Sequence, residues 1–197
     1  MPHFALICVF RGNFKSDIHS CYTQFTLANH GILRQIGRNF VMIRIMFVCH
    51  GNICRSPMAE FVMKKIVADN KLADKFLINS SATSTEEIGN GIHRGTKAKL
   101  TEMNIPFTAH HAVQITKDDY KNYDYIIAMD SMNLRNLQRI VGFDNEKKIH
   151  RLLEFTNYSR DVADPWYTGN FDVTYTDIDN GCRALLEYIK EHNLKIN

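Results

Sequence analysis

Ten consecutive residues constrain this 197-residue chain more than any other stretch: Val48-Cys49-His50-Gly51-Asn52-Ile53-Cys54-Arg55-Ser56-Pro57. An apolar run from Ile43 to Val48, broken only by Arg44, leads into them. Ala59, Val62, Met63, Ile66 and Val67 follow at helical spacing. The pattern predicts strand, tight loop, helix. Ser56 suits the N-cap, and Pro57 the first helical position, where a missing N–H costs nothing. A full capping box is absent, because Ala59 rather than Glu stands three residues past Ser56. A loop of this kind gathers backbone N–H groups at a helix N-terminus, which is an anion site well suited to phosphate. Gly51 lets the chain turn, and Asn52 tolerates positive φ.

The loop also begins with a thiol. A cysteine among amide dipoles and near a guanidinium is expected to ionise well below the usual ~8.5. Arg55 closes the loop with a planar fork that can hold two phosphate oxygens. Cys49 and Arg55, with five residues between them, therefore read as nucleophile and clamp for phosphoryl transfer through a cysteinyl-phosphate. Residues His50 to Cys54 form the cradle. Two other readings compete. A cysteine at a strand end is often inert core. Cys49, His50 and Cys54 also read as the start of a zinc set, but no second Cys or His pair with ligand spacing follows, so no metal is expected.

The segment Cys49-His50-Gly51-Asn52-Ile53-Cys54-Arg55-Ser56-Pro57 resembles the signature loop of the low-molecular-weight protein-tyrosine phosphatases. The similarity continues in Ser80-Ser81-Ala82-Thr83-Ser84, Glu87-Ile88-Gly89-Asn90, Gln114-Ile115-Thr116, Met129-Asp130 and Asp164-Pro165-Trp166-Tyr167, and runs from about Met42 to the end of the chain. It implies hydrolysis of phosphotyrosine in proteins, without a cofactor, by a monomer or weak homodimer.

Composition suits one globular domain: 45% hydrophobic and 23% charged residues. No run approaches the ~18 apolar residues of a membrane span. The net charge of +3 arises in the first 41 residues, where Arg11, Lys15, Arg34 and Arg38 face Asp17 alone. The remaining 20 basic and 20 acidic residues balance, so no nucleic-acid footprint is present. Five scattered cysteines do not make a secreted disulfide framework, and a thiolate enzyme needs a reducing compartment, so the cytoplasm is expected. Residues 1–41 lack a clean period and the features of a signal peptide. They read as a dispensable extension, with Met42 a plausible functional start and a targeting or docking arm as the alternative. Identifying the first residue of the natively expressed protein decides between these.

Further along, Phe76–Ala82, Tyr123–Met129 and Lys148–Leu153 read as strands. Helices are expected from about Thr96 to Met103, after a Ser131 cap with Gly142 past its end, and around Ile178 to Ile189. Residues 110–113 read as a connector or short strand. Strands alternating with helices imply an α/β fold of flavodoxin-like type: about four parallel strands with helices on both faces. Ligands in such sheets sit beyond the carboxyl ends of the strands. Asp164-Pro165 lies in a polar loop after the last strand. By its residues alone this loop is either a surface turn or the carrier of a general acid for the leaving oxygen. Trp166 and Tyr167 behind it could stack on an aryl phosphate.

The resemblance favours the acid role for Asp164. It also implies that Asn52, Ser56, Ser80 and His110 hold the loop and orient the thiolate, with His111 a rival because the match needs a one-residue insertion. Asp130 matches a carboxylate near the signature loop, although it also reads as a helix N-terminal acid. Arg94 matches a further supporting residue. Where many relatives carry an aromatic residue before Glu-Ile-Gly, this chain has Glu86, so the substrate rim is expected to disfavour acidic flanks. Cys54, beside a reactive thiolate, reads as a redox partner. The bulk of Ile53 resembles the tyrosine-specific form over a protein-arginine phosphatase. An arsenate reductase needs a thiol relay, for which only Cys182 remains past the loop. A non-catalytic phosphoprotein-binding module would not need both Cys49 and Asp164.

Overall fold

The computed structural model describes residues 42–194. The reading of residues 1–41 as an extension lies outside them. The elements are β1 (Ile43–Cys49), α1 (Arg55–Asp69), β2 (Phe76–Ala82), α2 (Arg94–Glu102), α3 (Lys117–Asn122), β3 (Tyr125–Ala128), α4 (Ser131–Val141), β4 (Ile149–Arg151), α5 (Pro165–Thr168) and α6 (Phe171–His192). Short 3-10 turns lie at Ala73–Lys75 and Leu152–Phe155.

The four strands are parallel and ordered β2-β1-β3-β4. The chain steps outward from β1 to β2, then crosses back to β3. Strand order reverses there, so the loops after β1 and β3 flank one crevice at the sheet's carboxyl edge. The fold is the α/β arrangement expected from the sequence, with helices on both faces.

β1 shows why the sheet is covered on both sides. Every residue but Arg44 is buried. Alternate side chains enter separate cores, because successive strand residues point to opposite faces. Ile43, Ile45, Phe47 and Cys49 join the core made with α1, α2 and α6. Met46 and Val48 join the smaller one with Tyr120 of α3 and with Leu137 and Val141 of α4. The period that buries Phe47 thus also aims Cys49 at the α1 side.

Several local expectations change. α1 begins at Arg55; Cys54 holds the N-cap position with no side-chain cap, so Ser56 is not the cap and Pro57 stands third in the helix. Asp130, in extended conformation, caps α4 in place of Ser131: its Oδ1 accepts the Asn133 N–H at 2.6 Å. α2 starts two residues early, under a His93 cap whose Nδ1 accepts the Gly95 N–H. β3 is shorter than the apolar run suggested, and β4 ends early because Leu152 and Leu153 turn into the core as a 3-10 segment. α3 was not expected, although Thr116 and Asp119 form a reciprocal capping box. Residues 110–113 are a connector, and an isolated bridge joins Ala82 to Gln114 just beyond it.

α6 approaches the Leu152 turn through Gly181, where a Cβ would stand 2.5 Å from Leu152 Cγ. Gly181→Val is expected to destabilise the fold by about 1–3 kcal/mol through overpacking, read as a lowered urea midpoint. An unchanged midpoint would mean that Leu152 yields without cost.

Candidate active site

The loop between β1 and α1 turns on Asn52, which is fully buried and has φ +57. Such a backbone is costly for most residues and least so for Gly, Asn and Asp. Gly51, expected to provide the turn, does not have positive φ. Its requirement is space, since a Cβ there would lie 3.0 Å from Glu87 Cγ.

Three hydrogen bonds engage the Asn52 side chain. Oδ1 accepts the Val113 N–H at 3.2 Å, and Nδ2 donates to Ser56 Oγ and Ser80 Oγ, both at 2.9 Å. Its carbonyl lies 2.8 Å from His110 Nε2, which must be the donor because a carbonyl only accepts. His111 instead contacts the Gly89 carbonyl, at an exposed position. Ser80 donates onward to Glu60 Oε2 at 2.6 Å. Glu60 is a buried carboxylate that the sequence analysis passed over, although an acid inside the apolar Ala59–Phe61 stretch was a signal.

Cys49 Sγ sits within this network. The Asn52 N–H lies 3.3 Å from it and Ser56 Oγ 3.1 Å. The Ser56 proton has a second acceptor, the Ser81 carbonyl at 3.2 Å. Among the described residues, no carbonyl or side chain accepts from the N–H groups of Gly51, Ile53, Cys54, Arg55 or Ser56. The uncapped start of α1 therefore leaves a run of donors at a helix N-terminus.

Arg55 is 3% exposed. Nη1 meets Asp130 Oδ2 at 2.6 Å and Nη2 meets Asp164 Oδ2 at 2.5 Å. Burial disfavours its charge, but Cys49, Asp164 and Asp130 outweigh that and hold its pKa above the usual value. Asp130 uses its other oxygen to cap α4, and Asp164 Oδ1 accepts the Trp166 N–H at 3.0 Å as the cap of α5. Both carboxylates are thus aimed by helix starts.

These groups line one pocket of about 150 Å³, bounded by Cys49, His50, Gly51, Ile53, Cys54, Arg55, Glu86, Glu87, Asp164, Trp166 and Tyr167. At its mouth His50 Nε2 pairs with Glu86 Oε2 at 3.0 Å. Trp166 and Tyr167 are largely exposed there. Burial, then the charges of Cys49 and Asp164, push the Cys54 thiol up to about 12. Cys182 is fully buried, which raises its pKa well above the ordinary value, and it does not line the pocket. Arg94 is exposed and makes no hydrogen bond or ion pair among the described residues. No cluster of three or more His, Cys, Asp or Glu among them could hold a metal ion.

The chain matches the family model described as "Low molecular weight phosphotyrosine protein phosphatase" over residues 44–195. It belongs to that family. It is 41% identical over 152 residues to the low molecular weight protein-tyrosine-phosphatase YfkJ of Bacillus subtilis, covering 76% of this chain and 97% of the relative. The crystal structure of YfkJ superposes with a TM-score of 0.76 over 80% of this chain and 99% of that one. The corresponding enzyme SP-PTP of Streptococcus pyogenes is 42% identical, with a TM-score of 0.67 over 77% of this chain and 100% of that one. No helix among the described residues is long and apolar enough to cross a membrane.

The weight carried by Asn52 can be measured. Asn52→Ala is expected to lower stability by about 2–4 kcal/mol, because it removes three hydrogen bonds at once: those donated to Ser56 Oγ and Ser80 Oγ and the one accepted from the Val113 N–H. Asn52→Gly relieves the backbone and should recover only about 1 kcal/mol of that loss. Full recovery in Asn52→Gly would assign the cost to φ alone.

Proposed function

We propose that this protein hydrolyses phosphotyrosine in phosphoproteins through a cysteinyl-phosphate on Cys49. One observation carries the reading: a buried guanidinium binds two carboxylates while sharing a pocket with a thiol at a helix N-terminus. Cys49 Sγ attacks phosphorus, and the S–P bond forms as the bond to the tyrosine oxygen breaks. Asp164 supplies the proton to that oxygen. In the second step water attacks phosphorus, Asp164 takes its proton, and the S–P bond breaks to release phosphate. Arg55 has five N–H donors, and its contacts with Asp130 and Asp164 leave others to span two phosphoryl oxygens. The loop amides share the charge that develops. Ser56, 3.1 Å from Sγ, favours the leaving thiolate in the second step.

Trp166 and Tyr167 supply apolar faces for the substrate ring, and Ile53 adds bulk to the wall. Glu86 and Glu87 at the mouth disfavour acidic residues beside the phosphotyrosine. Cys182 is an unsuitable relay for arsenate reduction, since it is enclosed in the core. No step calls for a metal or cofactor. The thiol chemistry suits a reducing compartment such as the cytoplasm.

Cys49→Ser and Arg55→Lys should each lower phosphotyrosine turnover by at least about 10³-fold, with the fold retained by circular dichroism. Asp164→Asn should slow single-turnover cleavage of phosphotyrosine about 10²–10⁴-fold, and that of p-nitrophenyl phosphate far less, because p-nitrophenolate leaves unaided. Retained turnover in Cys49→Ser would end the covalent mechanism, while equal losses on both substrates would remove the acid role from Asp164.

Cys54 is proposed as the redox partner. Peroxide converts the Cys49 thiolate to a sulfenic acid; Cys54 sulfur then attacks it, forming the disulfide and releasing water. Loss of the Cys49 charge removes one of the influences that raise the Cys54 pKa. Peroxide-inactivated enzyme should recover with dithiothreitol, and Cys54→Ser should recover much less after the same exposure. Equal recovery would deny Cys54 this role.

A further inference from the structure

Asp164 is delivered by residues 160–163, and in this segment both polar backbone groups of Val162 and of Ala163 are held. The Val162 N–H donates to the Met129 carbonyl at the end of β3, at 2.9 Å. The Val162 carbonyl lies 3.5 Å from Arg55 Nη1. The two groups of Ala163, the residue before the acid, are both taken by α6. Its N–H donates to Asp177 Oδ2 at 3.1 Å, and its carbonyl accepts from Thr174 Oγ1 at 2.9 Å. Thr174 and Asp177 lie one turn apart on α6, at 0% and 3% exposure. Arg160 closes the arrangement by gripping Asp177, through Nη1 at 2.8 Å and through Nη2.

Stability alone gives no reason for an ion here, because the carboxylate is buried while its partner Arg160 is largely exposed, and a pair so open to water adds little. What the pair does provide is direction. Asp177 holds the peptide before Ala163 and Thr174 the peptide between Ala163 and Asp164, so the backbone that carries the carboxyl has little room to rotate. Proton transfer needs heavy atoms about 2.6–3.2 Å apart, and a misplacement of about 1 Å can cost 10²-fold.

We infer that Thr174 and Asp177 are positioning residues for the acid, acting through Ala163 to hold Asp164 against Arg55 and in line with the leaving oxygen. The inference rests on the reading of Asp164 as general acid. Neither residue lines the pocket, so neither touches substrate. Their effect should therefore appear in the steps that need the acid and not in phosphate binding.

Thr174→Val removes the hydroxyl at nearly constant shape, and Thr174→Ser keeps it. Asp177→Asn removes the charge, and Arg160, with a side chain 55% exposed, can then turn to water. The measurement is the single-turnover rate on phosphotyrosine and on p-nitrophenyl phosphate, with thermal midpoints taken alongside. Thr174→Val and Asp177→Asn are expected to lose ten- to hundredfold on phosphotyrosine and less than about threefold on p-nitrophenyl phosphate. Thr174→Ser should restore the rate. In an Asp164→Asn background the selective loss should disappear, because there is no acid left to misplace. Equal losses on both substrates, or a selective loss undiminished in that background, would overturn the inference and leave a purely structural role. If Asp177→Asn does not fold, Thr174→Val with its Ser control decides alone. Should Asp164→Asn itself show no selectivity between the substrates, the acid assignment fails first and this inference falls with it.

Discussion

A guanidinium with 3% of its surface exposed must be given counter-charges, and meeting that need organises the molecule's upper edge. Desolvating the charge costs several kcal/mol, and removing one partner from a buried pair leaves that cost uncompensated. Arg55 is answered from two separate parts of the chain: Asp130 after β3 and Asp164 before α5. Each carboxylate also caps a helix, so its position is set by backbone as well as by charge. The ion triad thereby ties three loops, distant in sequence, to one point beyond the carboxyl ends of β1 and β3. The parallel sheet brings the loops near one another, and the buried charge sets their final approach.

The second constraint is the unusual helix start that Arg55 occupies. A side-chain cap at Cys54 would take up donors that an anion needs. None is present, and the hydroxyl that could have capped, Ser56, is turned toward Cys49 and the Ser81 carbonyl. The loop depends on Asn52 instead, whose amide links Ser56, Ser80 and Val113 while its backbone takes the left-handed turn. The strain of one residue is thus balanced by hydrogen bonds to β2 and to the connector after α2. This also explains the buried Glu60: accepting from Ser80, it fixes the direction of that hydroxyl and leaves the Ser80 lone pairs to Asn52.

α6 has two functions in this arrangement. One stripe, through Ile178, Cys182, Leu185, Leu186 and Ile189, closes the main core. Thr174 and Asp177, nearer its N-terminus, engage the segment that carries Asp164. The core and the segment that carries Asp164 are therefore held by one helix.

Much of this was legible in the chain itself. Strand, loop and helix around Cys49 follow from apolar periodicity, and the spacing of Cys49 and Arg55 suggests a thiol and a guanidinium at one anion site. The sheet's parallel character follows from alternating strands and helices, because a strand buried on both faces reads as a continuous apolar run. Caps were less legible. Ser131 and Asp130 are both good caps by type, and only the backbone conformation at Asp130 separates them. The run from Lys148 to Leu153 has one apolar pattern, yet β4 ends at Arg151, because the core beneath Gly181 takes Leu152 as a turn. Asp164 could equally have been a surface turn. Its carboxylate acquired a partner 109 residues earlier in the chain only through the fold. Sequence determined the local shape and the reactive groups, since these depend on neighbours a few residues apart. Tertiary structure alone decided which carboxylates meet Arg55, which histidine meets Asn52 and which helix holds the segment before Asp164, because buried charges and buried donors are satisfied by whatever the packing brings within about 3 Å.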